Sequence, residues 1–457
     1  MLQSLFRKKS IEHNHQDFLL RRSLNALDLI LLGVGAIIGA GVFVLTGIAA
    51  ATKAGPAVVI SYIVAGFTSM FAALAYAELA ASIGGTGSAY NYAFTGFGEF
   101  IAWIIGWDLL LEYIMSVATV AIGWSGYVDN LFESLHIYIP EMLTKNPFEG
   151  GIINLPAVFI ILSLSALLCI GVKQSARFNA AIVFIKLITI IIFISVAITD
   201  IDLKNWEHFL PFGWIGVMHG AAFVFFAYIG FDALSTAVEE SINPQRDIPI
   251  GIIGSLIFCT VTYIVVSALL VSIVPYTTLN VRSPVAYALL RLGHHTAAGF
   301  IAAGAIAGLT TVILVMYYGL TRICLAIARD GLLPSTLATI NLKTRTPIRI
   351  ILLTGIIMAL IAGLAPINRA AELVNIGTLA AFTLVCAGVI VLRLTYPDLP
   401  RPFKLPLNPV IPLLGVISCI YLMFNLPALT WWRFIIWMII GQVIYFLYSR
   451  KHSLLNC

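Results

Sequence analysis

The sequence predicts an all-α integral membrane protein of twelve transmembrane helices. Ten of them form two inverted five-helix units, each opening with a broken helix (helices 1 and 6), and two helices are left over. Three observations carry this. Of 457 residues, 60% are hydrophobic and only 10% charged, with a mean hydropathy of +0.99, which is more apolar surface than a soluble core can hide. The apolar runs are about 20 residues long, enough to cross a hydrocarbon core of ~30 Å, and they lack the residue-by-residue alternation of barrel strands. The first and sixth runs carry glycines at mid-length, where a membrane helix should be most secure.

The runs begin near Leu27, Ala57, Ile101, Ile153, Ala180, Ile215, Ile250, Ala298, Ile348, Ala371, Pro409 and Phe434. The first follows "RKK" and "RR" without a small-residue cleavage site at its end, so it is expected to be a retained helix. Threading twelve spans from an inside N-terminus puts 18 of the 26 Lys and Arg residues in connections on the starting face and 7 on the other, Lys186 being the last. This bias predicts that both termini are cytoplasmic. The net charge of +5 then reflects topology and argues against nucleic-acid binding. One membrane domain is expected over residues 26–450, between a cytoplasmic segment (1–25) and a cytoplasmic tail (451–457). Repeat one covers about 26–200, repeat two about 213–394, and helices 11 and 12 about 407–449.

The six cysteines are scattered without a CxxC pair, and the eight histidines form no metal-binding pattern, so neither a metal nor a cofactor is expected. His294 and His295 fall in a polar connection and read as solvated surface.

"GVGAIIGAGVFVLTG" in the first run holds five glycines, at 33, 35, 39, 41 and 47. The sixth run carries "AYIGFD" at 227–232. Counted by spans, the two runs cross in opposite directions, and glycine-interrupted segments at matching positions of two halves point to a transport site at the midplane. An unwound stretch leaves backbone groups that lipid cannot satisfy, so they must face protein, water or a ligand. A free amino acid suits such a site. The amides of Gly39, Ala40 and Gly41, opening a second half-helix, can receive its carboxylate. Carbonyls near Phe226 and Ala227 can accept its ammonium. The competing explanation for Gly35 and Gly39 is a GxxxG packing face. Asp232 reads as a cap for a restarted half-helix.

Lys186, in "RFNAAIVFIKLITIIIF", lies nine residues beyond Arg177. That is a rise of ~13.5 Å, close to mid-membrane. A lysine at that depth costs at least ~2.5 kcal/mol and should face the bundle with a role. It reads either as a proton-coupling group or as a permanent charge tethering the carbonyls of a broken helix. Asp108 and Glu112 share a face of the third helix, taken as Gly98 to Tyr127. Glu112, in its middle, is the pathway or structural acid, either protonated or bonded to a broken helix. Glu78 falls near the cytoplasmic boundary, in an interfacial or gate-loop position.

"GAIIGAGVFVLTG", "AYAELAASIGGTGSAYNYAFTGFGEFIAWIIGWDLLLEY", "FFAYIGFDALSTAVEESINPQRDIPIGI" and "MYYGLTRICLAIARDGLLP" resemble the cationic amino acid transporter family of the amino acid, polyamine and organocation superfamily. The resemblance spans about Ala26 to Arg450 and implies the leucine-transporter-type fold. It implies that Ile38, Ala40 and Gly41 line the carboxylate site and that Phe226, Ala227 and Ile229 supply backbone or gate contacts. Lys186 matches the fifth-helix lysine that stands in place of a sodium ion in proton-coupled members. Met316, on the eighth helix, would fill the far end of the pocket with apolar bulk. Together with the apolar neighbours Ala40, Phe226 and Ile229, it favours small to medium neutral L-amino acids over arginine or lysine.

The function expected is therefore import of L-amino acids by proton symport through alternating access, across a bacterial cytoplasmic membrane. Within transport the alternatives are a cationic amino acid carrier, a sodium-coupled carrier and an exchanger. Outside it, an amino acid sensor without net transport would share the site. An intramembrane hydrolase is disfavoured, because "GFD" at 230–232 has no second aspartate in a matching motif.

Overall fold

The computed structural model describes residues 7, 24–83, 89–134, 136–171, 176–232, 234–235, 241–341 and 343–454. Most of the basic N-terminal segment, the "GGTGS" stretch at 84–88 and the expected restart beyond Asp232 lie outside the described residues. Each expected apolar run begins within a helix or no more than two residues before one. Among the described residues, seven helices are long and apolar enough to cross a membrane, and five further apolar helices have 10–17 residues. Among the described residues the only β feature is an isolated parallel bridge between Leu24 and Ser241.

The first run is two pieces. α1 (Ala26–Ile37) opens with a capping box in which Asn25 Oδ1 accepts from the amides of Leu27 and Asp28, and Asp28 returns a bond to the Asn25 amide. It stops at Ile38, whose backbone is extended. α2 (41–54) then resumes, π-wound over Gly41–Leu45 and again over Ala50–Ala54. The long helices α3 (Val58–Ile83), α5 (Glu99–Ser134) and α7 (Ala176–Ala197) follow, with α4 (Ala89–Gly96) and α6 (Leu155–Ile170) between them.

The sixth run is also interrupted. α8 (Gly213–Val224) tightens into a 3₁₀ turn at Phe225–Tyr228, and the chain is extended at Ile229. The remaining helices are α9 (Pro244–Ile273), α10 (Pro284–Arg291), α11 (His295–Arg329), α12 (Ile348–Leu364), α13 (Ile367–Thr395), α14 (Val410–Phe424) and α15 (Ala428–Ile444).

α5 ends seven residues beyond the expected Tyr127, because its last turns have partners. The Tyr127 hydroxyl donates to Phe43 O at 2.5 Å, and Asn130 reaches the Ser283 hydroxyl. His294 is less open than expected, since its Nε2 lies 2.8 Å from Asp200.

α1 packs against α9, α7 and α11, while α5 packs against α11 and α13, so both breaks sit inside the bundle. α7 shows how an almost wholly apolar helix is oriented: Phe184, Ile188 and Ile191 face outward, whereas Val183, Lys186, Ile190 and Phe193 form a buried stripe at helical spacing. α14 and α15 lie at the periphery and expose Ile417, Phe424, Trp432 and Ile436, the kind of face that lipid covers. α15 is fixed by a stack of indoles: Trp107 and Trp437 lie 4.6 Å apart, and each Nε1 donates to the other residue's carbonyl.

The end of α3 is tied to the end of α13. Glu78, buried, takes a bidentate contact from Arg393 (2.8 and 2.5 Å) and a further bond from the Leu405 amide at 2.8 Å. The sequence reading placed Glu78 at a boundary without finding this partner, which lies 315 residues away.

Candidate functional site

Two interruptions meet at the centre. A Cβ at Gly41 would lie 2.3 Å from Ala227 Cα, so the second break approaches the first at a distance no other side chain permits. Gly230 has φ +118°, and a Cβ there would lie 2.9 Å from Ala36 O, so its glycine is required by both conformation and space.

Unwinding frees carbonyls, and long side chains from other helices collect them. Lys186 Nζ donates to Gly35 O at 2.6 Å and Ile38 O at 2.9 Å. The Tyr263 hydroxyl lies 2.9 Å from both Ile37 O and Ala227 O, so one proton is shared between the breaks. Tyr62 donates to Gly41 O at 3.0 Å and is linked to Thr46 Oγ1 at 2.6 Å. In the second break, Asn375 Nδ2 reaches Ala222 O and Phe223 O, each at 2.9 Å, and Ile229 N bonds to Phe226 O at 3.2 Å. The break carbonyls are thus largely satisfied by protein. The amides of Gly39, Ala40 and Gly41, at the opening of α2, lack the preceding helical turn that would accept from them.

Lys186 is buried in the middle of α7, and its stem crosses α11 at Gly308, where a Cβ would meet it at 2.9 Å. Among the described residues no carboxylate pairs with it. The ammonium's described hydrogen bonds therefore go to backbone oxygen, with the buried Cys259 thiol within electrostatic reach, an arrangement compatible with both sequence-derived roles.

A narrow cavity lies against the breaks, closed to about the size of a single water molecule. Gly39, Ala40 and Gly41 contribute from the first break, Phe226 and Ile229 from the second, and Met316 and Val312 from α11. Ser116 and Val120 close it from α5, and Ala36 and Ile37 from α1. Six of the eight residues expected to bind substrate line it. Ile38 and Ala227 do not: they turn their carbonyls to Lys186 and Tyr263 and act on the far side of the chain. Sequence reasoning missed Ser116, Val120, Val312 and Tyr263. Ser116 lies four residues after Glu112, on the same helical face, which was the available signal.

The acids Asp108, Glu112 and Asp232 are all buried and lie outside this cavity. Asp232 accepts from Gly230 N at 3.2 Å and from the Tyr113 hydroxyl at 3.3 Å, and it lines a second narrow cavity with Tyr76 and Leu109. Its side chain thus bonds back to the break and across to α5, and its carbonyl accepts from the Ser235 hydroxyl at 2.5 Å, while residues 233 and 236–240, where the helix it was expected to cap would run, lie outside the described residues. Glu112 lies beside the Thr378 hydroxyl and within electrostatic reach of Asp108 and Asp232. Among the described residues it forms no hydrogen bond to either break. Asp108 Oδ1 has no hydrogen-bond partner among them either.

Apolar helices long enough to cross a membrane, two interrupted segments and a cavity where they meet are the features of a membrane permease, and comparison with known proteins places the chain among such transporters. The chain belongs to the amino acid permease family, within the amino acid, polyamine and organocation superfamily; that family's model matches residues 24–445. It is 48% identical over 460 residues to a methylthioribose transporter of Bacillus subtilis (strain 168), covering 100% of both chains. It is 47% identical to the branched-chain amino acid permease BcaP of the same strain, covering 99% of each. A vacuolar cationic amino acid transporter 4 of Arabidopsis thaliana is 36% identical, the match covering 87% of this chain and 68% of that one.

Proposed function

We propose that this permease imports small to medium neutral L-amino acids by proton symport, through alternating access around the two breaks. The observation that carries the reading is the cavity itself: Gly39, Ala40 and Gly41 of the first break line it together with Met316 and Phe226, and among the described residues no acidic side chain does. A cationic side chain would have no partner there. The amides at 39–41 take the carboxylate, carbonyls of the second break take the ammonium, and Phe226, Ile229 and Met316 surround the side chain. The cavity must widen to admit any amino acid, so this conformation corresponds to a closed stage of the cycle.

Two relatives of nearly equal identity bear names with different substrates, so overall similarity leaves the choice of substrate to the cavity. Lys186 couples transport to protons. Charged, it holds Gly35 O and Ile38 O; on losing its proton it keeps two uncharged N–H donors, so both bonds weaken and the break loosens. In this proposal the twelve segments all span the membrane, with the order of a leucine-transporter-type 5+5 inverted repeat and two added helices. Both termini lie in the cytoplasm of a bacterial cell, consistent with the bias of basic residues.

The test is uptake of labelled alanine and arginine into proteoliposomes under an imposed inward proton gradient without sodium, for wild type and Lys186→Ala. Alanine should accumulate with the gradient and fail to do so in the variant. Preference for arginine, or gradient-driven uptake undiminished in the variant, would overturn the pocket or the coupling assignment respectively.

A further inference from the structure

Ser116 supplies the only polar side chain among the described residues that line the central cavity. It is 2% exposed, and its hydroxyl has no hydrogen-bond partner. Other hydroxyls of this bundle, one of them on the same helix, are handled differently. Thr119, Ser165, Thr189 and Thr310 each donate to the carbonyl four residues earlier, at 2.7–2.8 Å. Ser69, Ser82 and Ser241 also lack a partner, but none of them lines either cavity described above.

A buried hydroxyl without a partner is unfavourable, so its presence in an otherwise apolar cavity calls for a ligand atom that satisfies it. Resting on the reading that a neutral amino acid occupies this cavity, its two charged groups belong to the backbone of the breaks. What remains for Ser116 is a polar atom on the substrate's side chain.

We propose that Ser116 is a specificity-determining residue that hydrogen-bonds a side-chain hydroxyl, so that the carrier selects threonine over its isostere valine. The two amino acids differ by a hydroxyl in place of a methyl. With valine bound, Ser116 gains no partner from the substrate; with threonine bound, donor and acceptor satisfy one another. A site built to bond a substrate hydroxyl discriminates against the analogue lacking it for this reason.

The experiment is competitive uptake of labelled threonine and valine into proteoliposomes, with the ratio of initial rates measured in one preparation so that differences in the amount of folded carrier cancel. Wild type should favour threonine, and Ser116→Ala should lower the threonine-to-valine ratio by about three- to tenfold. Ser116→Cys keeps the volume while weakening the hydrogen bond and should shift the ratio in the same direction. Preference of the wild type for valine overturns the proposal. So does a ratio unchanged in Ser116→Ala while both rates fall, because Ser116 would then touch groups common to all amino acids or serve packing alone. Uptake of neither amino acid by wild type would overturn the neutral amino acid reading itself, and this proposal with it.

Discussion

The two interrupted segments solve the same physical problem with different chemistry. In the first, freed carbonyls at Gly35 and Ile38 are held by an ammonium. In the second, those at Ala222 and Phe223 are held by a neutral amide, and the chain closes on itself through a 3₁₀ turn. A lysine can lose its proton and an asparagine cannot. With proton coupling at Lys186, as proposed above, the first break is conditional and the second fixed, and the shared Tyr263 hydroxyl connects them.

Three substitutions break or sharpen this contrast. The largest effect is expected from Gly41→Ala, whose methyl would lie 2.3 Å from the Ala227 backbone and wedge the breaks apart. Overpacking of this kind costs about 1–3 kcal/mol, and at the binding site it should reduce uptake by more than about tenfold for every substrate. Ordinary uptake with an unchanged melting temperature would mean the breaks need not touch.

Next in size is Lys186→Met, which retains the bulk of the stem but leaves Gly35 O and Ile38 O without their donor. Hydrogen-exchange mass spectrometry should show faster exchange across 35–41 and little change across 222–230. Equal acceleration in both segments would erase the proposed asymmetry.

The smallest effect belongs to Tyr263→Phe, which removes one shared proton. Hydrogen bonds within membrane bundles contribute about 0.6 kcal/mol on average and up to about 1.7 kcal/mol. A fall in stability of that order, read by thermal unfolding in detergent, is expected together with loosened exchange in both breaks. A loss confined to one break would show that Tyr263 serves only that one.

The helices were legible because hydropathy is a local property, and each apolar run of the sequence lies on a helix. The breaks were legible for a related reason: glycine at 39, 41 and 230 is local information about where a backbone can bend or be approached. Lys186 announced itself by the cost of its position. What could not be read was which side of the unwound chain faces the cavity. Ile38 and Ala227 adjoin lining residues in sequence, yet their carbonyls point to Lys186 and Tyr263, because rotation of a single peptide exchanges pocket for scaffold. Tyr263 and Arg393 find their partners across helices far apart in sequence, and nothing in the local pattern specifies such pairing. Ser116 carries only its spacing of four residues from Glu112 as a signal, and that spacing does not distinguish it from the many hydroxyls that bond back to their own helix.

The bridge between Leu24 and Ser241, with the Ile242 amide donating to Leu24 O at 2.9 Å, joins the entrance of α1 to the chain beyond the second break. Such a clasp is made of main-chain atoms and is therefore indifferent to most substitutions at its own positions. It also imposes a kinematic rule: α1 cannot swing outward alone, because either residue 241 travels with it or the clasp must rupture first. If they travel together, the entrance of α1 and the chain at residues 241–242 move as one leaf, and a state in which only one of them has swung out is mechanically discouraged.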